Sequence, residues 1–160
     1  MLDVKESYKK LLDSQDFKKG GYLCSAFVMA KPEEVMNSFW QLDFYDAKKD
    51  RMSSYAVKEN IELLNTESEV FKDEKTKIEE LDLDEVEVKF EDAFEMGKKL
   101  IKEKHETPNK VIVVLQKNDV TFWNLSFLTE GFNLINIRID AKEGKVLDEK
   151  RVSLLSFKGE

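Results

Sequence analysis

The chain offers few side chains that could do catalytic chemistry. His105 is the one histidine and Cys24 the one cysteine among 160 residues. A Ser-His-Asp or Cys-His arrangement would have to use His105 as its base. This histidine lies beside Lys104 and Glu106 at the predicted end of a helix, a setting typical of an exposed residue that favours the helix dipole. We therefore predict no catalytic role for it.

Cys24 alternates with Tyr22 and Ala26 in an apolar segment. Buried cysteines often behave as small hydrophobic residues, so we predict a core position for Cys24 and no nucleophilic role. One histidine and one cysteine supply no zinc or iron–sulfur ligand set. The acidic run 79–85 lacks the glycine and the spaced ligands of a calcium-binding EF-hand loop. We predict that the chain binds no metal and no cofactor.

The charge balance argues against two classes of partner. The chain has 26 Lys and Arg against 33 Asp and Glu, a formal charge of −7, and its lysines are interleaved with acids. Nucleic acids and anionic membranes are both bound through concentrated basic surfaces, so neither is an expected partner. The N-terminus has no basic stretch followed by an apolar run, and we expect a cytoplasmic protein unless an export signal has been removed.

Two segments of the sequence recur. Asp3–Leu12 aligns with Asp92–Ile101, with Asp, Glu, two Lys and one Leu identical at an offset of 89. Phe39–Phe44 aligns with Phe122–Phe127 at an offset of 83, and each segment holds one of the two tryptophans. This pattern predicts two copies of one structural unit.

Each copy is predicted to begin with a helix and to continue as an antiparallel sheet. Apolar residues with helical spacing follow Asp3 and Asp92, which we predict to be the N-terminal caps of the two helices. Alternation then predicts strands, with Trp40, Leu42 and Phe44 on one face of the first copy. An additional short strand is predicted at 86–90. The other predicted strands are 22–30, 53–57, 111–116, 123–127 and 135–139.

The second unit resembles a PepSY-like domain. An aromatic-led alternating strand, 132–139, is followed by a hairpin whose Asp140, Ala141, Gly144 and Val146 match the family's turn. The resemblance covers residues 86–157, whereas the corresponding turn of the first unit, 57–60, lacks the Asp and the Gly. It implies a regulatory or inhibitory binding module, and it supplies no catalytic residues.

These observations together predict an α+β chain of two tandem helix-plus-antiparallel-sheet units, PepSY- or cystatin-like, related by a pseudo-twofold repeat. The predicted boundaries are 1–72 for the first unit, 73–85 for a charged and solvated connector, and 86–160 for the second unit. A helix covers one face of each sheet, so apolar residues on the other face need a second cover.

That second face carries the predicted binding residues, which are Phe39, Tyr45, Phe122, Leu128, Leu134 and Arg138. The two units could pack these faces on each other, or a homodimer could bury them. Alternatively, the face is open and binds a protein or peptide partner. Our first hypothesis is a non-enzymatic binding or regulatory module. The alternatives are a self-associating structural protein and, more remotely, a carboxylate-dependent enzyme.

Overall fold

The structure of the protein is a computed structural model that describes residues 1–69 and 77–158, with side chains at 1–65 and 77–156. Its described part is an α+β fold of two helices and one eight-stranded antiparallel sheet. The helices are α1 (Val4–Leu12) and α2 (Phe90–Glu103). The strands are β1 (Tyr22–Ala30), β2 (Trp40–Asp46), β3 (Arg51–Val57), β4 (Ile61–Glu69), β5 (Pro108–Asn118), β6 (Val120–Thr129), β7 (Asn133–Asp140) and β8 (Val146–Ser153).

The strand order in the sheet is β4-β3-β2-β1-β5-β6-β7-β8. Every neighbouring pair is antiparallel, and β1 pairs with β5 in the middle of the sheet. The strands before the connector and the strands after it therefore form one continuous sheet, joined where β1 pairs with β5. The hypothesis that two separate units pack their sheet faces on each other is wrong.

The two helices begin differently. Asp3 caps α1 as predicted, because its carboxylate accepts a hydrogen bond of 2.7 Å from the Lys5 backbone N–H. The predicted cap at Asp92 is wrong, since α2 begins at Phe90 and its cap position, Lys89, makes no side-chain capping bond. The predicted strand at 86–90 is also wrong, because a short 3₁₀ helix at Leu83–Glu85 leads almost directly into α2.

The predicted helix alignment has the wrong register. An offset of 89 pairs Leu12 with Ile101, but the Leu12 side chain is 47% exposed whereas Ile101 is 1% exposed. The alignment of the strands holds better, because both tryptophans of the matched segments are almost completely buried. Identity of sequence letters is therefore a poor guide to equivalent helix positions in this chain.

Both tryptophans occupy the core between the sheet and the starts of the helices. The indole N–H of Trp40 donates to the carbonyl of Leu2 at 3.1 Å, and that of Trp123 donates to the carbonyl of Val88 at 2.9 Å. The Phe90 ring lies 5.2 Å from the Trp40 ring and 5.6 Å from the Trp123 ring, measured between centroids. One aromatic cluster thus joins the two helix-and-strand segments of the chain, because it contains a tryptophan from each of them.

Part of the predicted connector belongs to the core. Leu81 and Leu83 are buried, and the Leu81 backbone N–H donates to the Leu23 carbonyl at 2.8 Å. The prediction of a solvated segment is wrong there, because apolar side chains within a charged run still find the core. Residues 73–76 of the predicted connector lie outside the described residues.

Candidate binding face

The helices pack on one face of the sheet, and the opposite face, here called the open face, has no helix over it in the described residues. Residues that pair directly across antiparallel strands share a face. Three rows of such residues cross the open face. They are Asp43, Ser25, Gln116, Phe122 and Asp140, then Gln41, Phe27, Val114, Asn124 and Arg138, then Met29, Ile112, Ser126 and Asn136.

An apolar strip occupies the middle of the open face. It consists of Phe27 and Met29 from β1 with Val114 and Ile112 directly opposite them on β5. The Met29 side chain is 48% exposed, and the other three are partly exposed. The central strip was not among the predicted binding residues. Its signal was available, because β1 and β5 are apolar at consecutive positions, which is typical of strands with an apolar side chain on both faces.

A polar cluster borders the strip on the β2 side. The carboxylate of Asp43 accepts hydrogen bonds from the Ser25 hydroxyl at 2.7 Å, the Gln41 amide at 2.9 Å and the Ser54 hydroxyl at 2.5 Å. Three neighbouring donors therefore satisfy this charged group, which reduces its need for solvent. The cluster is complete within the protein.

A second polar cluster borders the strip on the β6 side. The Asn136 amide donates to the Asn124 side-chain oxygen at 2.6 Å and to the Ser126 hydroxyl at 2.9 Å. Arg138 follows on the same strand, and its guanidinium carbon lies 5.4 Å from the centroid of the Phe122 ring. This distance is typical of a cation–π contact.

Two of the predicted binding residues are buried in the open face. Phe122 is 3% exposed beneath Arg138, and Tyr45 is 5% exposed. The Tyr45 ring packs edge-on against Tyr22 at 5.8 Å, and its hydroxyl bonds to the Asp50 carboxylate. These two side chains support the face, whereas residues above them form the surface that a partner would meet.

The other predicted residues lie around the edge of the strip. Leu128 and Leu134 are paired across β6 and β7 and are partly exposed. Phe39 precedes β2, is 40% exposed, and holds the Lys58 ammonium 4.7 Å from its ring centroid. The structure therefore brings Phe122 and Arg138 together, pairs Leu128 with Leu134 at the other end of the same two strands, and leaves Phe39 at an end of the sheet.

The two candidate reactive side chains have the settings predicted for them. Cys24 is buried, with its sulfur 3.4 Å from the Asp43 carbonyl oxygen and 3.5 Å from the Met52 sulfur. Burial, followed by the nearby Asp43 charge, raises the pKa of the Cys24 thiol to about 12, so almost no thiolate forms near neutral pH. His105 is exposed just beyond the end of α2.

One cavity lies on the other side of the sheet, between the starts of the two helices. It has a volume of about 110 Å³, and its lining includes Leu2, Val88, Trp40, Trp123 and Phe90. Pockets for small ligands generally have about 300–1,000 Å³. The central strip of the open face exposes apolar side chains, and we treat that face as the candidate site.

Two further findings concern the described residues, 1–69 and 77–158. They contain no group of three or more His, Cys, Asp or Glu side chains arranged to hold a metal ion. Neither of their helices has the length and apolar character needed to cross a membrane.

Comparison with known proteins found a similar fold but no similar sequence. No protein-family model matches the chain, and no curated protein matches its sequence. The structure is similar to the crystal structure of a putative lipoprotein from Clostridium difficile 630, with a TM-score of 0.58 and 17% sequence identity. The similarity covers 94% of this chain and 93% of that one. At this level of identity the likeness shows a shared fold alone.

Proposed function

We propose that this chain is a non-enzymatic binding or regulatory module that holds a protein or peptide partner against its open face. The observation that carries the proposal is the central strip, where Met29, Phe27, Ile112 and Val114 present apolar surface without helix cover. Polar clusters border this strip on both sides. An apolar centre with a polar rim is the usual anatomy of a protein interface.

We further propose that the module consists of two PepSY-like units related by a pseudo-twofold repeat. The order of elements supports this, because α1 precedes β1–β4 and α2 precedes β5–β8. So do the tryptophan bonds, since each indole donates to a carbonyl two residues before the start of a helix. In this alignment Leu2 of the first unit is equivalent to Val88 of the second, which replaces the alignment of Leu12 with Ile101 that the sequence suggested.

Capture of a partner from a lysate of the source organism tests the proposed face. Immobilised wild-type chain is compared with Met29→Lys, which places a charge on the strip. Leu12→Lys is the matched control, because Leu12 is 47% exposed on α1 and Met29 is 48% exposed on the open face. We expect a protein that binds the wild type and Leu12→Lys but not Met29→Lys, with all three chains folded by circular dichroism.

Light scattering after size-exclusion chromatography tests the alternative of self-association. A monomer at micromolar concentration supports the binding module. A stable dimer that Met29→Lys dissociates and Leu12→Lys preserves would replace the proposal with a homodimeric structural protein. Capture that is equal for the wild type and Met29→Lys would exclude the central strip as the binding surface.

The compartment is a separate part of the proposal. We propose the cytoplasm, as expected from the sequence, whereas the protein of similar structure is a putative lipoprotein. Fractionation of the source cells with an antibody against this chain tests the point. Recovery with the soluble cytosolic fraction supports the proposal, and recovery with membranes contradicts it.

A further inference from the structure

We propose that Arg138 receives an acidic side chain from the partner protein that docks on the open face. This inference rests on the proposed function and adds the chemistry of the partner. The partner would place a carboxylate on the Arg138 guanidinium and an apolar side chain on the central strip.

Arg138 is a partly buried charged residue of the open face that has no ion-pair partner in the described residues. Its Nε–H is buried and has no hydrogen-bond acceptor in the described residues. Among the described residues there is also no carboxylate oxygen within 4.0 Å of its guanidinium. A guanidinium carries five N–H donors, and the described residues accept no side-chain hydrogen bond from the buried Nε–H.

The acidic side chains nearest to Arg138 in the sheet have other partners. Asp148 pairs with Arg138 across β7 and β8, but its carboxylate lies 3.7 Å from the Lys150 ammonium. Asp140 is two residues further along β7, and its carboxylate accepts hydrogen bonds from the backbone N–H groups of Lys142 and Glu143. Across β6, the side-chain oxygen of Asn124 already accepts from Asn136. Among the described residues, none of these neighbouring side chains supplies an acceptor to Arg138.

The Phe122 ring positions the guanidinium for such an acceptor. The guanidinium carbon lies 5.4 Å from the ring centroid, and contact with an aromatic ring limits the rotation of an arginine side chain. A carboxylate matches the geometry of a guanidinium, with two parallel N–H···O bonds. Phe122 is itself held in the sheet by burial, so the arrangement exists before a partner arrives.

The position of Arg138 relative to the strip sets the spacing in the partner. Arg138, Asn124 and Val114 lie in one row on three adjacent strands. Adjacent strands are about 4.8 Å apart, so Arg138 and Val114 are separated by roughly 10 Å. An extended segment rises about 3.3 Å per residue. Side chains alternate between the two sides of an extended segment, so only residues an even number of positions apart point to the same side. An acidic residue and an apolar residue two or four positions apart, about 7 or 13 Å, would therefore reach both sites.

A displayed library of random peptides tests this inference without knowledge of the natural partner. The library is selected on immobilised wild-type chain, on Arg138→Gln and on Lys110→Gln. The last variant is the control, because it removes an exposed cation that pairs with Leu128 on the same face. We expect peptides enriched on the wild type and on Lys110→Gln to combine Asp or Glu with an apolar residue. We expect this acidic preference to disappear on Arg138→Gln.

A synthetic peptide from that selection then gives the affinity. We expect Arg138→Gln to weaken its binding at least tenfold, as expected when one partner of a close charge pair is removed. Replacing the acidic residue of the peptide by its amide should weaken binding to the wild type similarly. The two changes together should cost little more than either alone.

The outcomes separate this inference from the proposed function. Peptides that lose binding to Met29→Lys but bind Arg138→Gln as well as the wild type would overturn the role of Arg138 and keep the open face. Peptides unaffected by Met29→Lys, or a selection that enriches none, would overturn both proposals. Enriched peptides without an acidic preference would also exclude Arg138 as a carboxylate site.

Discussion

The two halves of the open face use their polar side chains in different ways. On the β1–β4 side, the Asp43 carboxylate is satisfied by Ser25, Gln41 and Ser54. On the β5–β8 side, Arg138 has an aromatic ring beneath it and no acceptor in the described residues. One charge is thus part of the folded structure, and the other is available for an interaction.

This difference shows how the structural and binding roles of charged residues can be told apart. A charged group that is fully hydrogen-bonded by its neighbours stabilises the fold, so its removal is felt in the free energy of unfolding. A charged group with unused donors contributes little to folding, so its removal is felt mainly when a partner binds. Asp43 and Arg138 are the two cases on one sheet.

The largest expected effect tests whether the cores of the two halves are equivalent. Trp40→Ala and Trp123→Ala should each lower the free energy of unfolding by about 3–5 kcal/mol, because each indole is buried and hydrogen-bonded. Urea denaturation followed by circular dichroism measures the loss. Phe39→Ala is the control, with an expected loss well under that of its neighbour Trp40. A marked loss of stability in only one of the two tryptophan variants would show that the cores of the two halves are not equivalent.

The next effect tests the comparison of the two charges directly. Asp43→Ala should lower the free energy of unfolding by about 1–3 kcal/mol, because three donors lose their acceptor. Arg138→Gln should lower it by at most about 1 kcal/mol, because the cation–π contact with Phe122 is the interaction that it loses. Urea denaturation of both variants gives the difference. An Arg138→Gln variant as destabilised as Asp43→Ala would show that both charges are structural.

A smaller effect compares the helices. A methyl group added at Gly97 of α2 would lie 2.7 Å from Leu125 Cδ1 and 3.1 Å from the Phe127 ring. Overpacking of this kind costs about 1–3 kcal/mol. The better helix propensity of alanine returns about 1 kcal/mol. We therefore expect Gly97→Ala to lose stability by about 1 kcal/mol.

Ser7→Ala in α1 is the matched substitution and should have the opposite sign. The Ser7 hydroxyl oxygen is buried without a hydrogen-bond partner in the described residues. Removing it should stabilise the chain by up to about 1 kcal/mol. Thermal or urea unfolding of both variants measures the two changes. If both substitutions changed the free energy of unfolding in the same direction, the difference in packing between α1 and α2 would be contradicted.

The smallest effect appears at alkaline pH and belongs to the first half alone, which holds Cys24. Burial raises the pKa of this thiol from 9.0 to about 12 in the folded state, so folding favours the protonated form. Its contribution to stability is complete below pH 9 and is lost as the pH rises towards 12. Between pH 9 and pH 10 the wild type should lose about 1 kcal/mol more than Cys24→Ala. If the free energies of unfolding of the wild type and Cys24→Ala fell in parallel as the pH rises, the raised pKa of the Cys24 thiol would be contradicted.

The strands could be predicted because their alternation is strong. Trp40, Leu42 and Phe44 face the core, and Gln41 and Asp43 face outward, so a period of two is plain in the sequence. The central strip could not be found in that way. Strands β1 and β5 carry apolar side chains on both faces, and a contrast between inside and outside is then missing from their sequences.

The start of α2 could not be predicted because it has no local capping signal. Asp92 is a good cap by residue type, yet the helix begins at Phe90, after Lys89. Packing of the Phe90 ring against Trp40 and Trp123 is a contact between distant parts of the chain. Likewise, the free state of Arg138 depends on how Asp148 and Asp140 are engaged, which the order of residues does not reveal.

The pairing of β1 with β5 has a consequence for how the chain folds. Six residue pairs, from Ser25 with Gln116 to Ala30 with Val111, join segments that are roughly 80 to 90 residues apart in sequence. The other strand pairs connect neighbours along the chain. We expect this pairing to form late in folding, because the long segment between β1 and β5 must first be closed into a loop. Until it closes, two apolar strand edges are open to other chains, and we expect aggregation to begin there.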